Sequence, residues 1–348
     1  MNYIFICSYL NVPCAVDTIE REGGDFRILT SNKRLAELFS ELYSSDNVIK
    51  LPELFTSFGN PKMFLRDLIL LPGYKKKYID VLRESCPDKI FFYYLGWNGF
   101  ESWLIKYFSN DSSIYYRPKV CLDKLKKNWN VKQYIKTIIA RLLYKIPFKS
   151  MTYYRYPMIV IDNEYLRNIN AISYPEMTGT NHIKKFIKER FREYSKIDVL
   201  LLVGGESNLD SNEYIRVMEL LYTKLILFYK PENIGIKQHP DREGIEMSWM
   251  KQCTPITKHL PANLIMFTCS LVISYASATL YEAANINITA ISLINLIKTS
   301  ERHQKIRYKE YLLDNCRNKN IAFPESILDF EQALSQNIKT SQPVLSHT

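Results

Sequence analysis

Lys237-Gln-His239-Pro240 closes a short apolar alternation that begins at Ile234. Ile234 and Ile236 alternate as in a strand, and Pro240 lacks the N–H that a sheet ladder needs, so the strand ends there. Side chains just before the proline then stand at the carboxyl edge of the sheet, where open α/β sheets hold ligands. Downstream, a second apolar run from Cys269 to Ile273 gives way to Ser274-Tyr-Ala-Ser277-Ala-Thr279-Leu-Tyr-Glu282-Ala-Ala. That order reads as strand, hydroxyl-rich turn and helix: an anion site made of hydroxyls and helix N–H groups. A basic residue and an imidazole on one strand end, facing such a turn on another, suit a phosphate diester. A lone His-Pro is equally a plain strand-end histidine; its succession with the hydroxyl turn carries the reading.

Strands must position these groups, and the chain alternates them with helices. Strands are expected at Tyr3–Cys7, Phe26–Leu29, Val48–Leu51, Lys89–Leu95 and Ser113–Tyr116, with helices at Lys33–Tyr43, Leu54–Leu71, Tyr74–Glu84 and from Phe100. Such alternation implies parallel pairing and right-handed crossovers. Between Lys149 and Lys196 the rhythm changes: a strand over Met158–Ile161, breaks at Asn168, Asn170 and Pro175, then a charged helix from His182 to Tyr194. The second half restarts at Val199–Val203, with a helix over Ser211–Phe228, the strand before Pro240, and strands at Ile256–Leu260, Cys269–Ile273 and Ile288–Leu293. The expected domains are residues 1–165 and 197–334, joined by a linker over 166–196, with a loose tail at 335–348. The fold class is α/β, two Rossmann-like domains with a cleft between them.

At 348 residues the chain is long for one core, which supports two domains. Its net charge of +10 points to an anionic substrate, an anionic membrane surface or nucleic acid. No basic run interleaved with aromatics matches a nucleic-acid module, so nucleic acid is set aside. The clearest basic stretch, Lys124 to Lys149, mixes Leu125, Ile135, Ile138, Ile139, Leu142, Leu143 and Ile146 with Lys126, Lys127, Lys132, Lys136, Arg141 and Lys145. It reads equally as a basic amphipathic helix on anionic lipid or as the solvated face of a domain helix. The seven cysteines are scattered without a Cys-x-x-Cys pair, which fits reduced thiols in a cytoplasmic protein. Met1–Val16 lacks the basic start of a signal peptide, and Ala262–Tyr281, although uncharged, is punctuated by Asn263, Thr268, Ser270, Ser274, Ser277 and Thr279. No transmembrane segment is expected.

At these residues the sequence resembles the bacterial sialyltransferases of the GT-B type, in particular the lipooligosaccharide sialyltransferase and polysialyltransferase groups. The resemblance rests on Lys237-x-His239-Pro240, on Ser277-Ala-Thr279-Leu280-Tyr281, and on Leu260-Pro261-Ala262-Asn263-Leu264 between them. It covers the second half; the first half shares only the strand–helix rhythm. The resemblance implies that Lys237 contacts a cytosine, that His239 contacts the phosphate of CMP, and that Ser277 and Thr279 hold the same phosphate. Related enzymes bind the ribose through a glutamate between the motifs; Asn263 stands at the nearest position here, a departure from that pattern. Glu282, one helical turn beyond Thr279, reads either as its substitute or as a packing residue. The implied activity is inverting transfer of sialic acid from CMP-sialic acid to a sugar hydroxyl, galactose being the expected acceptor, in a bacterial surface polysaccharide or lipopolysaccharide.

Donors placed where charge develops on a departing CMP phosphate are worth about a few kcal/mol each. His239, two hydroxyls and a helix N-terminus supply this without a metal, and no Asp-x-Asp after a strand offers to hold one. The donor substrate takes the place of any cofactor. An acceptor hydroxyl also needs a carboxylate base. Gly205-Glu206-Ser207-Asn208-Leu209-Asp210 follows a strand, and Glu206 or Asp210 is chosen, although Asp210 with Glu213 also reads as a helix cap. Glu101, Asp162 and Glu164 are rivals, and Glu22-Gly23-Gly24 is either a sugar-site loop or a turn. The competing classes are a transferase of another CMP-ulosonate (Kdo, legionaminate) or a polysialyltransferase, a non-catalytic CMP or glycan binder, and a basic protein peripheral on the inner membrane.

Overall fold

Short runs of β-branched, aliphatic and aromatic residues such as Phe26–Thr30 and Val199–Val203 become strands in the computed structural model of the chain. It describes residues 1–53, 61–83, 86–93, 99–116, 126–127, 130–153, 156–173, 181–204, 211–239, 246–298 and 302–341. Two units result, Met1–Gly179 and Thr180–Thr348.

The first unit carries β1 (Asn2–Phe5), β2 (Phe26–Thr30), β3 (Val48–Lys50), β4 (Lys89–Phe92) and β5 (Ser113–Tyr116). Then come β6 (Lys126–Lys127), β7 (Phe148–Tyr153), β8 (Tyr156–Ile161) and β9 (Ile172–Ser173). Its helices are α1 (Val12–Glu22), α2 (Lys33–Tyr43), α3 (Pro61–Arg83), α4 (Gly99–Phe108), α5 (Val131–Tyr144) and α6 (Asn163–Asn168). Six strands form one sheet in the order β3-β2-β1-β4-β5-β9, every pair parallel. The expected strand at Met158–Ile161 is β8, but it pairs antiparallel with β7 in a separate three-stranded sheet that sequence rhythm did not announce. Two helices were expected on either side of Pro72-Gly73; α3 instead runs through Pro72 as one helix. A proline inside a helix costs roughly 3 kcal/mol. Here Leu71 and Leu82 are buried on either side of it, and Phe64, Leu68, Tyr74 and Tyr78 pack on the same core, which offsets that cost.

In the second unit, α7 (Asn181–Arg190) precedes β10 (Val199–Val203), α8 (Ser211–Leu225), β11 (Ile234–Gln238), β12 (Thr254–Pro255) and α9 (Ala262–Ile265). These are followed by β13 (Leu271–Ser274), α10 (Ala278–Asn285), β14 (Thr289–Ser292), α11 (Arg302–Asn315), β15 (Ile321–Ala322) and α12 (Ile327–Ser341). The sheet order is β12-β11-β10-β13-β14-β15, again parallel throughout. The strand expected over Ile256–Leu260 is shifted: pairing stops at Pro255, the Ile256 N–H still bonds the Ile236 carbonyl at 2.9 Å, and the chain then turns toward Pro261. Proline on an edge strand explains the early stop. The tail expected from Ser335 is helical to Ser341, because Phe330 and Leu334 are fully buried and Asn337 bonds both the Tyr229 hydroxyl and Thr289. Residues 342–348 lie outside the described ones.

Both sheets wind outward from their first strand, cross back, and continue on the other side. This is the doubly wound order, which places a topological switch beside β1 and β4 in one unit and beside β10 and β13 in the other. The chain is thus an α/β protein with two doubly wound, all-parallel six-stranded sheets in succession.

Candidate functional site

Lys237 and His239 are two residues apart on β11 and its extension, so pleating sends both to one face. His239 is exposed just past the strand; Pro240 lies outside the described residues. Lys237 is buried, and its ammonium donates to the carbonyls of Thr257 (3.0 Å) and Lys258 (2.9 Å). Burial, and secondarily the nearby charge of Lys258, pull its pKa down to about 8. The lysine therefore ties β11 to the turn after β12, a structural duty that the sequence did not reveal.

That shift has a consequence for stability. The pKa of the folded chain lies below the ordinary lysine value of 10.5. Between these two values the unfolded chain binds more protons, so stability rises with pH there. Up to about 3 kcal/mol is relieved between pH 8 and 10.5. Other lysines, tyrosines and cysteines also titrate across that range, so the difference between two chains is the check. Denaturation should show a more positive pH slope in the native chain than in Lys237→Met; parallel slopes for the two chains would refute it.

On the other side of β10, β13 ends at Ser274 and α10 opens four residues later. Ser277 is the N-cap: its Oγ accepts the Thr279 N–H (3.3 Å) and donates to Thr279 Oγ1 (3.2 Å). Thr279 is buried, so the two alcohols form a fixed pair at the mouth of the helix. Glu282 follows one turn later on the same helix face, half-buried. Asn263 is buried in the short α9, which packs against α10 and β10.

Register places the two halves at one edge. Gln238 pairs with Val203 and Ile273 with Leu201, so His239 and the Ser277 turn emerge at the carboxyl ends of strands flanking β10. The two flanking strands lie two strand spacings apart, about 10 Å across the sheet.

Glu206 and Asp210, the candidate bases, lie outside the described residues, as does the cap expected at Asp210. Glu213 stands in the first turn of α8. Gly204, at the end of β10 with φ +79°, donates its N–H to the Tyr214 hydroxyl at 2.9 Å. The chain after Ile297 reads as mainly helical, as α11 is; what its sequence does not show is that α11 returns over this edge. Tyr308 meets Tyr275, the residue after β13, edge-on at 6.4 Å. Lys305, one turn earlier, has its pKa lowered by burial and opposed by the charge of Glu213. Nothing in its sequence surroundings marked it as a cation for this edge.

The rival carboxylates find structural work in the first unit. Asp162 caps α6 by accepting the Glu164 N–H (3.0 Å) and pairs with Lys149 (2.8 Å). Burial raises its pKa, but the bonds from Lys149 and the Glu164 N–H, with the charges of Lys149 and Arg141, hold it below the usual range. Glu22 pairs with Lys89 at 2.8 Å beside the amino end of β4, and Gly23 and Gly24 turn at φ +61° and +72°. Glu101 falls in α4, its side chain outside the described ones.

No protein-family model matches the chain. No curated protein matches it either. Among solved structures it is similar to an α/β-galactoside α-2,3-sialyltransferase of Photobacterium phosphoreum, with 12% identity over 94% of this chain and 99% of that one and a TM-score of 0.45. A Photobacterium damselae sialyltransferase, taken as its GT-B domain, gives 12% identity over 92% and 99% of the two chains at a TM-score of 0.41. The Glycyrrhiza uralensis enzyme UGT73P12 gives 10% over 98% and 88% at 0.42.

Proposed function

We propose that the chain is an inverting sialyltransferase that uses CMP-sialic acid and needs no metal. The observation that carries this reading is the shared edge around β10, with His239 beyond one flanking strand and the Ser277–Thr279 pair beyond the other. In the reaction an acceptor hydroxyl, galactose in our reading, attacks the anomeric carbon from the face opposite the phosphate. The bond from that carbon to the phosphate oxygen breaks, and CMP leaves with the electron pair. His239 and the two alcohols donate to the phosphate as its charge grows, and the first-turn N–H groups of α10 add their partial positive charge. Glu206 or Asp210 takes the acceptor's proton. Lys237, held by two carbonyls, fixes the strand end where a cytosine would lie. Asn263 and Glu282 are assigned to the ribose side. An acceptor carried on a surface glycan precursor would bring the protein to the inner face of the membrane.

The deciding assay incubates the purified chain with CMP-sialic acid and a labelled galactoside. Transfer supports the reading; CMP binding without transfer supports the non-catalytic binder, to which Asn263 at the place of a glutamate lends weight. CMP-Kdo and CMP-legionaminate, run beside it, separate the sugars that share a CMP handle. Ser277→Ala with Thr279→Ala should weaken CMP binding about tenfold or more, because bonds to a charged group contribute about 1.5–3 kcal/mol each. The Ser277 change also removes a helix cap worth about 1 kcal/mol. Thr279→Val alone leaves that cap in place and isolates the ligand effect by calorimetry; unchanged affinity takes the pair out of the site.

A further inference from the structure

Helix α5 is packed the wrong way round for a helix in water. Val131, Ile135, Ile138 and Leu142 follow one another at steps of four, three and four residues and fall within an arc of about 60°. They are exposed at 71%, 51%, 38% and 74%. Two positions along from each, Gln133, Thr137, Ala140 and Tyr144 form a second ladder on the opposite side, and all four are buried. The helix thus covers its more polar ladder and presents its branched aliphatic one. Thr137 satisfies its hydroxyl locally by donating to the Gln133 carbonyl at 2.9 Å, so its burial leaves no donor unmet. The neighbouring α3 shows the same habit: Leu65 and Ile69 are 61% and 72% exposed, and Lys75 of that helix donates to the Leu143 carbonyl of α5.

Charge says what covers the apolar ladder. From residue 124 to residue 161 the sequence has nine lysines and arginines and no aspartate or glutamate. A second copy of the chain would bring two such segments together, and like charge opposes that. Lys149 of this stretch pairs with Asp162 just beyond it, but the excess of positive charge remains. An anionic bilayer complements both features: headgroups for that positive charge and, about 5–10 Å below them, acyl chains for the aliphatic side chains. No described helix is long and apolar enough to cross a membrane, so the geometry is that of a helix lying in the interface. We propose that α5 docks the chain on anionic lipid, its axis along the membrane plane and Val131, Ile135, Ile138 and Leu142 inserted. This stands on the first unit alone and fails independently of the donor site in the second.

The test is co-sedimentation of the full chain with vesicles of phosphatidylcholine alone or with one third phosphatidylglycerol. The native chain should bind the anionic vesicles at least tenfold better than the neutral ones. Ile135→Ser with Leu142→Ser should lower that binding about tenfold with an unchanged melting temperature, since both side chains already face solvent. Lys132→Glu with Lys136→Glu should lower it as well, and added salt should weaken the native chain more than this variant. Equal binding to the two vesicle types, or anionic binding indifferent to both variants, would overturn the assignment. So would a concentration-dependent dimer, seen by analytical ultracentrifugation and removed by the serine pair, with no vesicle binding.

Discussion

Replacing His239 by alanine is expected to lower turnover by about two orders of magnitude or more, the effect of removing one donor from the site of developing charge. Stability should hardly change, because the side chain is exposed beyond the end of β11 and a surface substitution of this kind stays within about 0.5 kcal/mol. The loss should fall on kcat and kcat/KM together, since the bond to the phosphate strengthens only as CMP departs. His239→Gln keeps a donor of similar reach and should recover part of the rate. Initial rates with CMP-sialic acid, with CMP affinity from calorimetry, check both statements. If alanine leaves kcat within a few fold of the native value, the imidazole has no part in the chemistry. The strand-end reading of His-Pro would then stand.

Much of this frame was legible in the sequence because parallel strands buried on both faces leave unbroken apolar runs, as at Val199–Val203. Pro240 and Ser277 announced where strand and helix change hands, and α10 does begin at the residue after Ser277. What stayed hidden depends on contacts between segments distant in sequence. Lys237 reads as a ligand-facing cation, yet two carbonyls some twenty residues onward accept its hydrogen bonds, and no local pattern encodes that. The antiparallel β7–β8 pair was missed because the expected rhythm was parallel and the strands are joined through Tyr153 and Tyr156 without a glycine turn signal. In α5 the hydrophobic periodicity was readable, but which ladder faces the core was not. Both ladders share one spacing, and binary patterning would have buried the aliphatic one. Lys305 and Tyr308 reach the edge through the path of α11, for which their neighbours in sequence give no hint.

Gly235 is the position where a single added carbon should do most harm to the fold that holds the site. A Cβ built there meets Ile197 Cδ1 at 2.8 Å, Ile197 Cγ2 at 2.9 Å and Ile256 Cδ1 at 2.9 Å. Both isoleucines are buried, so neither has free space to swing into. Ile256 also bonds Ile236 through its backbone, which fixes the distance between the two segments. Overpacking of this kind costs about 1–3 kcal/mol. Gly235→Ala should lie within that range because the clashing atoms are side-chain ends, and Gly235→Val should reach its upper end or pass it. Gly235, Lys237 and His239 share one face of β11, so a strand pushed away from Ile256 also carries Lys237 from the Thr257 and Lys258 carbonyls. The stability loss should therefore come with weaker CMP binding, although residue 235 is four positions short of His239. Ile197→Ala placed beside Gly235→Ala removes two of the three close contacts and should recover part of both losses, which a change in strand propensity at Gly235 would not allow. Urea midpoints and CMP calorimetry on the native chain, the single variants and the pair decide it: unchanged midpoints for Gly235→Val would mean that the segment bearing Ile197 does not press on β11.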